Sequence, residues 1–412
     1  MKRRVVITGL GIVSPIGNDR DEVWDSVTAG RCGIGPITRY DPAEQKVKLA
    51  GEVKNLDLER YVERRESRRM DRYAQFAMAA AVQAMEDSGL EKLDEPHTRW
   101  GVLMSSGIGG ISSVEENKVR GMEKGYDRVN PFFIPMTISN MAAGQIAIRY
   151  GLRGMCACVV TACASAGNAI GDAFRHIRDG YGDVMVAGGA EAAITPLCIG
   201  GFTSMKALTD TADPDRASIP FDADRSGFVM GEGAGALILE EYGHARRRGA
   251  RIYAELAGYG TNCDAYHITA PRPDGSGARE CMRMALEDAG ITTADVDYIN
   301  AHGTSTKLND AGETAAIRSL FGEEADRLKV SSTKSMTGHL LGASAAVEAV
   351  ITALAVNQGF VPPTVHYQKP DPECDLDVVP GQGAAMPIRY ALSNSLGFGG
   401  HNVTLAFGAY HE

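Results

Sequence analysis

"VSSTKSMTGHLLGASAAVEAVITAL", residues 330–354, runs from an apolar stretch through a turn of small residues into a segment with Val347, Val350, Ile351 and Leu354 at i, i+3, i+4 and i+7. That spacing lays apolar side chains along one face of a helix. "CACVVTACASAGNAIGDAFRHI", residues 156–177, has the same form, with Ile170, Ala173, Phe174 and Ile177 at the same intervals. Overlaying the two helices puts Cys163 opposite Leu340, next to His339. Further echoes occur in the same order. "AMEDSGL" (84–90) and "ALEDAGI" (285–291) each close a helical pattern, and each is followed by a strand pattern ending in glycine, "GVLMSSG" (101–107) and "VDYINAHG" (296–303). "VVITGLG" (5–11) matches "YAELAGYG" (253–260). The chain reads as two copies of one α/β unit, 1–250 and 251–412, with extra loops in the first copy near 105–150 and 195–235.

Bulk properties narrow the function classes. The 412 residues are 44% hydrophobic and 23% charged, with a net charge of −10, which argues against a general nucleic-acid binder. No apolar run approaches the ~20 residues of a membrane helix, so membrane insertion is not expected. "MKRRVVITGLGIVSPIG" reads as a first strand and turn rather than a signal peptide. Eight cysteines are too sparse for a disulfide scaffold, and a reduced, cytoplasmic protein is expected. Cys156 and Cys158 lack the paired spacing of a zinc site, so no metal is expected.

Familiar nucleotide and hydrolase motifs fail. "ITGLGIVSPIG" has G-x-G but no third glycine, no P-loop occurs, and "GASAA" around Ser344 misses the G-x-S-x-G elbow by its last glycine. Cys163 follows an apolar strand and precedes a helix, where unpaired N–H groups and the helix dipole favour a thiolate. Position alone leaves a reactive and a buried structural cysteine both open. His302, after a strand, and His339, before the matching helix, both lie in the second half at positions equivalent to the rim of the first half's site, so with the halves facing each other one thiol and two imidazoles are expected to converge. Lys334 precedes His339 on the same turn, and Glu348 on the helix is its candidate ion-pair partner. "NSLGFGGHN" (394–402) is either a plain hairpin turn or a glycine-hinged flap with Phe398 as plug.

"TACASAGNAI", "AHGTSTKLND", "SSTKSMTGHLLGAS" and "NSLGFGGHN", with "DVMVAGGAE" and "PFDADRSGFVMGEGAGALILEE", together resemble the β-ketoacyl-acyl-carrier-protein synthases, specifically the elongating type II condensing enzymes. The resemblance runs from Val5 to about Phe407. It implies a thiolase-like fold with duplicated α/β halves in five α-β-α-β-α layers, and a homodimer. It also implies decarboxylative condensation of an acyl-enzyme thioester with malonyl-acyl-carrier-protein, elongating a fatty acid. No cofactor is implied beyond the phosphopantetheine that carries the substrates. The same resemblance makes Cys163 the acyl-carrying nucleophile, its N–H and that of Phe398 the oxyanion hole, and His302 and His339 the donors to the malonyl enolate. Lys334 orients His339, and Phe398 gates access. The substrate-binding positions implied are Ile108 and Phe202 in the acyl pocket, Thr269, Thr304 and Thr306 along the phosphopantetheine arm, and Glu348 and Gly399.

Arg65, Arg68 and Arg69, on the helix "ERRESRRM", and Lys206 match positions that dock the acidic acyl carrier protein. A solvated face with pairs to Glu63 and Glu66 is the other reading of those arginines. Leu396, His401, Lys307 and Ala166 depart from the family pattern without removing a catalytic group. An aromatic polyketide ketosynthase shares the Cys-His-His set and is the alternative function. Initiating condensing enzymes pair Cys with His and Asn, and chain-length factors lack the cysteine, so both fit less well.

Overall fold

The computed structural model describes residues 2–93 and 97–410. Ten strands form one sheet: β1 Val5–Val13, β2 Trp100–Ser105, β3 Cys156–Ala157, β4 Val184–Glu191, β5 Gly233–Glu241, β6 Ala254–Cys263, β7 Val296–Asn300, β8 Lys329–Ser331, β9 Tyr390–Gly397 and β10 His401–Gly408. Their order is β3-β2-β4-β5-β1-β6-β10-β9-β7-β8. Counted within its own half, each set runs third, second, fourth, fifth, first. The senses repeat as well: β2 is parallel to β3 and β4, and β7 to β8 and β9, while the remaining pairs in each half are antiparallel. The halves join where their first strands meet, through Val5 with Leu256, Val6 with Glu255 and Ile7 with Ala254.

Six helices cover the sheet: α1 Arg72–Ser88, α2 Met141–Tyr150, α3 Ser165–Arg178, α4 Ser276–Ala289, α5 Lys307–Phe321 and α6 Ser344–Gln358. α1 and α2 pack on the first half of the sheet, and α4 packs on the second beside α5. α3 and α6 pack against each other and against strands of both halves. This is the five-layer thiolase-like arrangement. Its largest apolar cluster joins Ile170, Phe174 and Ile177 to Val347, Val350, Ile351 and Leu354. Every residue of α6 from Ser344 to Val356 is buried, polar Ser344 and Glu348 included, because protein encloses the helix on every side.

The sequence echoes have physical causes. α1 and α4 both stop at a glycine with φ of 70°, Gly89 and Gly290, which explains the paired "SGL" and "AGI" endings. "GLG" and "GYG" let those helices lie directly on the strands. A Cβ on Gly11 would meet the Ala80 carbonyl oxygen at 1.9 Å, and one on Gly260 would meet that of Cys281 at 2.0 Å.

Three details differ from the sequence expectation. The region 105–150 is largely helical, with Ile111–Lys124 and Phe133–Thr137 preceding α2, and Pro196–Ser204 is a helix in the second insertion. The expected strand before Cys163 is only two residues long, because β3 is the sheet's edge and Val160 is exposed where the chain leaves it. The helix overlay was also two residues out. Ala162 and Leu341, with φ of 51° and 48°, open equivalent turns before α3 and α6, so Gly342, not Leu340, is the counterpart of Cys163.

Gly11→Ala forces a methyl into the helix backbone, and we expect it to lower unfolding free energy by about 3 kcal/mol. Urea unfolding checks this, and a loss below about 1 kcal/mol would mean that the helix can move aside.

Candidate active site

Cys163 lies in the short turn Ala162–Ala164 that leads into α3. Small residues are required here because backbone meets backbone: a Cβ on Gly397 of β9 would come within 2.8 Å of the Thr161 oxygen and 3.2 Å of the Cys163 nitrogen. The close approach brings two amides onto the sulfur, those of Cys163 itself and of Phe398. The expected thiolate is not what this environment favours. Burial pushes the thiol up to about 12, against the opposing pull of Lys334 and the two amides.

The imidazoles of His302 and His339 are buried edge to face, with ring centroids 5.3 Å apart and planes at 87°. Burial, reinforced by Lys334, holds both well below the ordinary histidine value, and His339 lowers His302 further. Both rings are therefore neutral near pH 7 and each carries one donor. His339 Nδ1 lies 2.8 Å from Ser344 Oγ. The loop carrying His302 hangs on a buried carboxylate, since Glu313 accepts from the amides of His302 at 2.8 Å and Gly303 at 2.9 Å. Lys334 and Glu348 form the expected pair, with side chains 1% and 3% exposed, and burial raises the Glu348 carboxyl to about 7.

A cavity of about 390 Å³ brings these groups together. Cys163, His302, His339, Thr304, Thr306, Thr269, Phe202, Phe398 and Lys206 line it. Thr304 and Thr306 share a hydroxyl contact of 3.0 Å. Phe398 packs on Phe202 at 6.3 Å, Phe202 on Phe228 at 5.5 Å, and Phe228 on His339 at 5.1 Å, so an aromatic wall runs from the Gly-rich loop to the imidazoles. That loop is the connection of the β9–β10 hairpin. Its amide at Gly399 donates to the Ile268 oxygen at 2.7 Å, and Gly399 and Gly400 have φ of 84° and 77°.

Other expected positions lie outside the cavity wall. Ile108 belongs to the apolar cluster behind Phe202 and Phe228. Glu348 sits behind Lys334, and Gly399 stands behind Phe398 in the loop. Arg65, Arg68 and Arg69 are exposed, but their helix is a single turn, Arg64–Ser67. The expected pairs with Glu63 and Glu66 do not form among the described residues; Arg64 instead approaches Glu59 at 3.9 Å, and Arg69 stacks over Phe132 at 4.7 Å. Lys206 is exposed at the cavity mouth.

Sequence reasoning missed the supporting carboxylates. Glu191, at the end of an otherwise apolar strand, accepts from Ser106 Oγ and from the amides of Gly107, Ile108 and Gly342 at 2.7–3.2 Å. Asp310 accepts from the amides of Thr304 and Phe221, beside buried Arg225. Acidic residues set in apolar surroundings were the available signal, as at "MVAGGAE" and along α5.

Family models described as "Beta-ketoacyl synthase, N-terminal domain" and "Beta-ketoacyl synthase, C-terminal domain" match residues 2–245 and 253–368. The chain is 53% identical over 410 residues to 3-oxoacyl-[acyl-carrier-protein] synthase 2 of Synechocystis sp., covering 99% of each chain. It is 51% identical over 405 residues to the Staphylococcus aureus protein of that name, covering 98% of each. Among solved structures, the ketosynthase AntDE, complexed with its type II polyketide acyl-carrier protein AntF, superposes with a TM-score of 0.92 at 38% identity, covering 100% of both chains. A Burkholderia phymatum β-ketoacyl synthase gives 0.91 at 34%, covering 99% and 100%.

Removing the Lys334 cation takes away a charge that opposes imidazole protonation, so Lys334→Met should raise both histidine pKa values. Histidine NMR titration should place His302 and His339 below the ordinary value in the parent and move both upward in the variant. Unmoved titrations would show that burial alone sets them.

Proposed function

Because this chain belongs to the β-ketoacyl synthase family, we propose that its cavity performs a decarboxylative condensation through Cys163, His302 and His339. The chain is an elongating condensing enzyme of fatty acid synthesis, an acyltransferase that extends an acyl group with malonyl-acyl-carrier-protein, giving 3-oxoacyl-acyl-carrier-protein and carbon dioxide. The observation that carries the site reading is the shared cavity: a thiol under two amides faces two neutral imidazoles. The aromatic polyketide alternative is disfavoured, since the AntDE ketosynthase shares 38% identity against 53% and 51% for the fatty-acid synthases.

In the first half-reaction the Cys163 sulfur attacks the incoming acyl thioester. The amides of Cys163 and Phe398 bind the oxyanion, and the departing pantetheine sulfur takes the proton that the thiol gives up. Burial keeps the thiol protonated until then. In the second, the malonyl thioester oxygen accepts hydrogen bonds from His302 and His339. The bond to the carboxylate breaks, its electron pair becomes the enolate, and carbon dioxide leaves. The enolate carbon attacks the acyl-Cys163 carbonyl, the C–S bond breaks, and the Cys163 thiolate takes a proton from solvent water. Neutral donors suit this step because they bind the enolate oxygen without the strong hold on the ground-state carboxylate that an imidazolium would add. No electrons leave the substrates, so the reaction calls for no redox cofactor.

Phe398, packed on Phe202, gates the malonyl side, and Ile108 with Phe202 borders the acyl chain. Thr269, Thr304 and Thr306 hydrogen-bond the pantetheine arm, and Arg65, Arg68, Arg69 and Lys206 dock the acidic carrier. The protein works in the cytoplasm as a homodimer. Support for the dimer comes from β3, whose outer edge is unpaired among the described residues, and from the exposed apolar side chains Met122, Ile134, Ile148 and Val160 nearby in sequence.

Cys163→Ala should abolish chain elongation yet retain malonyl decarboxylation, because both imidazoles remain; elongation of a labelled acyl chain by this variant would overturn the assignment. Arg68→Glu combined with Lys206→Glu should raise KM for acyl carrier protein about tenfold or more while leaving KM for acyl-pantetheine in place. Equal effects on both substrates would remove the docking role.

A further inference from the structure

Ser165 and Ser344 hold the same place in the two halves, as first residues of α3 and α6 after the left-handed turns. Their hydroxyls do different things. Ser165 Oγ closes its own turn, donating to the Ala162 oxygen at 2.6 Å and accepting from the Thr161 amide at 2.9 Å. Ser344 Oγ is buried and lies 2.8 Å from His339 Nδ1 instead.

The rest of His339 is already fixed. Its amide donates to the Val229 oxygen at 2.7 Å, its oxygen accepts from the Gly231 amide at 2.8 Å, and its ring packs against Phe228. What packing leaves undetermined is which ring nitrogen carries the hydrogen. A neutral imidazole has one donor and one acceptor, and a hydroxyl can serve either nitrogen state, but Ser344 Oγ has no other hydrogen-bond acceptor among the described residues, so its hydrogen is directed to Nδ1. His302 has no comparable device, because its Nδ1 has no hydrogen-bond partner among the described residues.

We infer that Ser344 is a positioning residue: its hydroxyl donates to His339 Nδ1 and keeps the hydrogen on Nε2, the nitrogen left for the cavity. The inference rests on the condensation reading above, in which that N–H binds the malonyl enolate. With Nε2 bare, the same ring would present a lone pair to the developing oxyanion and repel it.

The test uses the full chain in a Cys163→Ala background, with malonyl-acyl-carrier-protein as substrate and 15N-histidine labelling. The parent should show His339 as a single Nε2–H tautomer. Ser344→Ala should give a mixture of tautomers and lower kcat for decarboxylation about tenfold, with KM held within about twofold. Ser344→Thr, which keeps a hydroxyl, should restore both readouts. Ser344→Cys, a weaker donor of similar size, should fall between and serves if the alanine variant does not fold. A His339 that stays in the Nε2–H tautomer in Ser344→Ala overturns the inference, as does a kcat loss that threonine does not rescue. A parent that fails to decarboxylate malonyl-acyl-carrier-protein would instead overturn the condensation reading, and the tautomer measurement would still decide the role of Ser344.

Discussion

The site depends on two short turns being pressed together, Ala162–Ala164 before α3 and Leu341–Ala343 before α6. Each opens with a residue other than glycine in the left-handed region, a strain of about 1–3 kcal/mol per residue. Burial between the two halves of the sheet sustains it. A Cβ on Gly342 would meet the Gly107 nitrogen at 2.3 Å, so the second turn lies against the loop after β2 as closely as backbone allows. Glu191 knots that contact, taking amide hydrogens from both sides of it. Loosen this packing and the thiol and the imidazole of His339 no longer share a cavity.

Burial then governs the chemistry. It is the largest influence on Cys163, on both histidines and on Glu348, and in every case it favours the uncharged form. Lys334 modulates this from behind. It draws the thiol toward ionisation and pushes the imidazoles away from protonation, so one buried cation favours the nucleophilic form of one group and the neutral-donor form of the others. That cation is tolerable only because Glu348 is beside it.

Much of the fold was legible because duplication wrote it twice. The glycines of β1 and β6, the helix ends at Gly89 and Gly290, and the small-residue turns before α3 and α6 were each readable as a pair, and each has a steric cause. What stayed hidden was whatever depends on depth. Position at a helix start suggested an ionised thiol, but the burial of Cys163 is set by Gly397 and Phe398, more than two hundred residues away in the chain. The two-residue error in the overlay arose because side-chain periodicity aligns helix faces, whereas the left-handed residues that start the turns leave no hydrophobic signal. Glu191, Glu313 and Asp310 were missed for a related reason: most of their partners are backbone amides, which every residue has, so little in the partners' identity advertises the contact.

The repeated strand order carries a consequence for how such a catalyst can arise. A protein assembled from two identical copies of this unit, joined along their first strands, would hold the same side chain at both turns. Here one copy has cysteine where the other has glycine, and one serine latches its own turn while its twin turns toward a histidine. Neither copy holds a complete set of reacting groups. The repeated scaffold thus keeps two equivalent turns in register while each carries a different side chain, so the reacting groups are divided between positions that the fold itself treats alike.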